Sequence, residues 1–95
     1  MDVGTEIGGG RPPTTPPPYP GTPLRVGSRG NDVSILQENL NRVASRYPTI
    51  PRLTVDGIFG PATQNTVIQF QRLFGLTADG VVGPITWDRI MSLAF

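Results

Sequence analysis

Large apolar residues recur at helical spacing in three stretches of this chain, each bounded by glycine or proline. In the first, Val33, Leu36, Leu40, Val43 and Tyr47 share one stripe, while Ser34, Gln37, Glu38, Asn41 and Arg42 take the other face. This predicts a helix from Asn31 or Asp32 to Arg46, opened by residues that suit a helix N-terminus and stopped by Pro48. A second helix is expected from Pro61 to Phe74, with Val67, Phe70 and Phe74 inward and Gly75 as its C-terminal cap. A third runs from Pro84 towards Leu93 and packs through Trp87, Ile90 and Leu93. The fold class is all-α, a small three-helix bundle.

The segments that open the second and third helices are nearly one sentence written twice. Residues 53–67 read LTVDGIFGPATQNTV and residues 76–90 read LTADGVVGPITWDRI. Each shared residue has a mechanical role. Asp-Gly (Asp56-Gly57 and Asp79-Gly80) is a tight-turn pair: glycine accepts positive φ, and the carboxylate can take up backbone N–H groups just ahead of it. Gly-Pro (Gly60-Pro61 and Gly83-Pro84) starts a helix, because proline's φ is already set and its missing N–H has no intrahelical partner to lose. Thr63 and Thr86 follow within the first turn. A fainter third copy is expected at Gly27 and Gly30, ahead of the first helix. Ile58, Phe59, Val81 and Val82 are expected to plug the core, and Leu53–Val55 to pair briefly with Leu76–Ala78.

Composition then narrows the picture. Residues 1–23 hold seven of the eleven prolines and five of the twelve glycines, with few large apolar side chains (Val3, Ile7, Tyr19). Such a stretch buries too little to offset its ordering entropy, so it is expected to be a disordered linker ahead of a domain over residues 24–95. Cysteine, histidine and lysine are absent. Their absence removes thiolate nucleophiles, imidazole ligands for a metal, Ser-His-Asp arrangements and lysine Schiff bases together. No cofactor or metal is implied. A net charge of +1, with every base an arginine, lacks the dense basic face that nucleic acid requires. No stretch has the roughly 20 apolar residues of a membrane span, and no signal-peptide pattern opens the chain.

Carboxylates are the chemistry left. Asp56 and Asp79 are the pair to weigh for glycosidase work. Both sit at equivalent places in a repeat, where a turn-and-cap role accounts for each separately. The Gly-x-x-Gly spacing also occurs in loops that clamp nucleic-acid backbones, but here it leads into Pro and Thr at a helix start. At helical spacing, Trp87, Phe70 and Phe74 read as core before they read as a sugar platform. Ligand contacts are therefore expected beside the corners: Arg25, Arg29, Arg46 and Arg52, which suit carboxylates, with Gln37 and Asn41 of the first helix and Tyr47 at its end.

Taken in order, residues 24–33 (LRVGSRGNDV), Leu36-Gln37, residues 56–63 (DGIFGPAT), Val67, Phe70-Gln71, Gly75-Leu76 and residues 79–87 (DGVVGPITW) resemble the PGBD-like family of peptidoglycan-binding domains. The resemblance spans nearly all of residues 24–93. It implies a three-helix bundle with two Asp-Gly-x-x-Gly corners, serving as a non-catalytic anchor on peptidoglycan glycan or stem peptide; nothing in the sequence suggests more than a monomer. It also implies covalent linkage to a cell-wall hydrolase or spore-envelope domain, in the wall or spore envelope of a bacterium. The alternative is a pro-segment-like module that packs on a partner enzyme. Asp56, Gly57, Gly60, Pro61, Thr63, Gln71, Asp79, Gly80, Gly83, Pro84 and Thr86 are expected to be scaffold. Thr63 is expected to bond Asp56, and Gln37 and Gln71 to satisfy loop backbone groups. Residues 45–52 form a longer connection than the family's usual one, and Tyr47 is expected to flank the ligand groove there.

Overall fold

Three helices form where the stripes place them: α1 (Asn31–Arg46), α2 (Pro61–Leu73) and α3 (Pro84–Ala94). This is a computed structural model, and it describes residues 16–95. Each helix is entered from a glycine, and α2 and α3 carry proline in the first turn. No side chain caps these starts. Instead the carbonyls of Gly30, Gly60 and Gly83 accept the first helical bonds, from the N–H groups of Ser34, Gln64 and Trp87. The end of α2 is a Schellman turn: Leu76 N–H donates to Gln71 O at 2.8 Å and Gly75 N–H to Arg72 O at 3.3 Å.

The core is the sum of the three stripes. Val33, Leu36, Leu40 and Val43 of α1 meet Val67 and Phe70 of α2 and Trp87, Ile90 and Met91 of α3. Such side chains, fully buried, contribute about 1.5–3 kcal/mol each. Tyr47, Phe74 and Leu93 lie at the margin, half-buried. Of the four expected plugs, Phe59 and Val82 are buried, Val81 is intermediate, and Ile58 is 45 % exposed. Neighbours in an extended segment point to opposite sides, so only one of each pair can face inward.

The expected pairing of Leu53–Val55 with Leu76–Ala78 does not occur. Both corners pair with the segment before α1. Leu24 exchanges both backbone bonds with Val82 (3.1 and 2.8 Å), and Gly27 N–H donates to Phe59 O, Phe59 N–H to Ser28 O, and Gly30 N–H to Gly57 O. The third glycine corner is thus the strap that laces the other two. This partner is remote in sequence and has no apolar alternation to announce it.

The packed body also starts earlier than residue 24. Trp87 Nε1 donates to Pro17 O at 3.0 Å, and the Tyr19 ring stands edge-on to Trp87 at 6.1 Å. Residues 16–23 therefore lie partly on the domain, while residues 1–15 of the expected linker fall outside the described residues. The long connection after α1 is pinned as well. Ile50 is 2 % exposed, Asn41 exchanges two bonds with the backbone of Leu53, and Thr66 Oγ1 donates to Pro51 O.

Candidate functional site

Each corner is read by a buried glutamine from the preceding helix. Gln37 of α1 is 1 % exposed. Its Nε2 donates to Asp56 Oδ1 (2.9 Å), Ile58 O and Thr63 Oγ1, and its Oε1 accepts from the N–H groups of Asp56 and Gly57. Gln71 of α2 does the same at the second corner, with Asp79 Oδ1, Val81 O and Thr86 Oγ1 as acceptors and Gly80 N–H as donor. In both, the aspartate Oδ1 also accepts the N–H two residues ahead, from Ile58 or Val81 at 3.0 Å. The turn glycines Gly57 and Gly80 both have φ of 73°, the left-handed region that side chains disfavour. Gln37 Nε2 and the Ile58 N–H, in that order, hold the Asp56 carboxyl below its ordinary value of 3.8.

Thr63 thus meets Asp56 through Gln37 rather than by the direct bond expected of it. Gln37 satisfies loop backbone as expected: both polar atoms of its amide are engaged within the corner, and the residue also lines the cleft that the corner presents.

Outside each corner lies a cleft, and the two clefts are built from corresponding residues. The first-corner cleft, about 370 Å³, is lined by Leu53, Thr54, Asp56, Ile58, Gly60, Pro61, Ala62 and Thr63, with Gln37 and Arg52. The second, about 480 Å³, is lined by Leu76, Thr77, Asp79, Val81, Gly83, Pro84, Ile85 and Thr86, with Gly75 and Pro23. A constant offset of 23 residues carries one lining onto the other. Two differences change its chemistry: Arg52 gives way to Gly75, and Ala62 to Ile85, which is 72 % exposed.

The structure divides the candidate ligand residues. Arg52 lines the first cleft. Arg29 pairs through its backbone with Ile58, one of the residues lining it. Asn41 faces Leu53 and holds the loop. Arg46 donates to Leu93 O at the C-terminal end of α3, where a cation suits the helix dipole, and Tyr47 packs edge-on to Phe74 at 5.1 Å. Neither Arg46 nor Tyr47 lines either of these two clefts. Arg25 is exposed on the strap, its N–H donated to Ser28 Oγ. Sequence reasoning set the corner residues aside as scaffold; they are scaffold on the inside and cleft wall on the outside. Aligning the two copies gives positions 52/75 and 62/85 among several that differ, and it is the cleft linings that set these two apart.

A small helical domain presenting two repeat-related open clefts belongs to the class of binding modules. Residues 29–90 match the family model described as "Putative peptidoglycan binding domain", and the chain belongs to that family. Among solved structures it is similar to the SleB N-terminal domain, at 30% identity and a TM-score of 0.69, covering 81% of this chain and 99% of that one. It is also similar to a peptidoglycan-binding protein from Clostridioides difficile solved in complex with glutamine hydroxamate (34% identity, TM-score 0.66, 78% of this chain). A third likeness is to the Burkholderia AP3 phage endolysin (43% identity, TM-score 0.61, 73% of this chain). It spans 43% of the clostridial chain and 24% of the endolysin. No curated protein matches the chain.

Proposed function

We propose that this chain is a non-catalytic module that binds peptidoglycan through its two corner clefts and holds an attached cell-wall enzyme on its substrate. The observation that carries this is the repetition of one cleft on one frame. Two weak sites on a small body suit an extended, repetitive polymer, where simultaneous engagement raises retention without a tight individual site. Family membership over residues 29–90 supports the ligand, and likeness to a segment of an endolysin supports attachment to an enzyme.

Catalysis is disfavoured by the same geometry. Each cleft has a single carboxylate in its lining, so the two-carboxylate arrangement that glycoside hydrolysis needs is assembled in neither. Each of those carboxylates also has one oxygen engaged by a buried glutamine and a backbone N–H. The module acts as a monomer at the wall or spore envelope and needs no cofactor.

Sedimentation with purified insoluble peptidoglycan tests the reading. The domain is expected in the pellet, with retention reduced by Ile85→Asp, which alters an exposed rim residue and leaves the core intact. A wild-type domain that stays in the supernatant overturns it.

A further inference from the structure

The two clefts share a frame but not a charge pattern. In the first, Asp56 and Arg52 line one space of about 370 Å³. Both bonds that reach the Asp56 carboxylate, from Gln37 and Ile58, land on Oδ1. Oδ2 carries none among the described residues, so it stays available to a donor. Arg52 is exposed, and no hydrogen bond or ion pair to a described residue holds its guanidinium. One cleft therefore offers an anionic acceptor and a cationic fork whose charges are not closed on each other. In the second cleft Asp79 remains, Gly75 takes the place of Arg52 in the lining, and Ile85 adds an apolar rim.

We propose that the first-corner cleft recognises the zwitterionic end of an amino acid, a free α-ammonium beside a free α-carboxylate, as an uncross-linked diamino-acid residue of the wall stem peptide presents it. This rests on the wall-binding reading above. The Asp56 carboxylate takes the ammonium. The Arg52 fork takes the carboxylate, with the bidentate geometry that planar pair allows. Leu53, Thr54 and Ile58 are among the other residues that line the space. Cross-linking turns the ammonium into an amide and removes its charge. The module thereby distinguishes open stems from closed ones and concentrates its cargo where the wall is newly made or already cut. The second cleft, without a guanidinium, does not make this distinction.

Amide NMR titration of the 95-residue chain tests the assignment. The probes are meso-diaminopimelic acid, its forms with both amines acetylated or both carboxylates converted to carboxamides, and an uncross-linked muropeptide ending in free diaminopimelate. The free acid and the muropeptide are expected to shift Thr54, Asp56, Gly57 and Ile58. Each blocked form is expected to bind about tenfold more weakly, the effect of losing one charge-assisted contact. Arg52→Gln is expected to abolish the preference for carboxylate over carboxamide with an unchanged Tm. Equal shifts from free and blocked probes, an unaffected Arg52→Gln variant, or a response to the free amino acid with none to the muropeptide would each overturn the proposal. Sedimentation with insoluble peptidoglycan runs in parallel. Retention without discrimination at the first cleft defeats this proposal and leaves the wall-binding reading standing; no retention defeats the reading itself.

Discussion

The first and second corners hold the same turn with unequal grips. Gln37 accepts two backbone N–H groups, from Asp56 and Gly57, whereas Gln71 accepts one, from Gly80. The first corner also closes against backbone, since a Cβ on Gly57 would stand 3.0 Å from Ser34 Oγ and 3.3 Å from Gly30 O. At Gly80 it would meet only the side chains of Gln64 and Ile68. The second corner in turn leads into the helix on which residues 16–23 dock, with Trp87 under Tyr19 and Pro17, where the first copy has Gln64 at the matching position. Closely similar sequence motifs thus receive different contacts from the preceding helix and from residues 16–23.

The largest break in this comparison comes from the glutamines. Gln37→Ala strands two backbone donors and is expected to cost about 3 kcal/mol or more, against about 2 for Gln71→Ala, since each unsatisfied buried group costs ~1–3 kcal/mol. For a domain of this size, with a total stability of order 4–12 kcal/mol, urea unfolding should resolve both. Equal losses would mean that the second N–H bond at the first corner adds nothing.

Next come the turn glycines. Gly57→Ala should destabilise by about 2–3 kcal/mol and Gly80→Ala by about 1–2, because both require a left-handed residue but only the first meets fixed backbone. The reverse order in Tm would show that Gln64 and Ile68 are the less yielding neighbours.

Tyr19→Ala sharpens the asymmetry at the other copy. It should cost about 1 kcal/mol and shift the emission of Trp87 to the red, with the amide resonances of the first corner unmoved. An unchanged emission spectrum would detach residues 16–23 from the second copy's account.

The smallest effect is protonic. Asp56 has a folded value below its ordinary 3.8, so the stability it supplies is present above 3.8 and is lost as pH falls through the lower folded value. The stability difference between wild type and Asp56→Asn should therefore shrink as pH drops below 3.8. A carboxyl titrating at or above that value by NMR would contradict the hydrogen-bond cause.

The helices and corners were legible because their determinants are local. A 3.6-residue stripe, Gly-Pro at the start and glycine at the end of α2 all act within a turn of chain. The strap was not legible: Leu24 and Gly27 find Val82 and Phe59 across the folded body, and Asx-turn chemistry cannot name that partner. Gln37 was half legible, since an amide on the first helix can equally satisfy a loop or a ligand until the loop's path back along α1 is known. The clefts escaped for a related reason. Explaining Asp56, Pro61 and Thr63 by the turn they hold says nothing about the side of that turn which faces water.

One feature of the repeat bears on how the domain can be altered. Gln37 lies 19 residues before Asp56, whereas Gln71 lies 8 before Asp79, so 11 residues enter the first copy between reader and turn. Those residues form the last turns of α1 and the returning loop, and neither the glutamine nor the aspartate notices them. Loop-closure entropy for such a lengthening is only about 0.8 kcal/mol. The glutamine–corner contact is a clasp indifferent to the length of cord between its halves. The exposed Pro48–Thr49 tip is accordingly where a reporter peptide, a protease site or new chain termini could be installed while both clefts keep their shape.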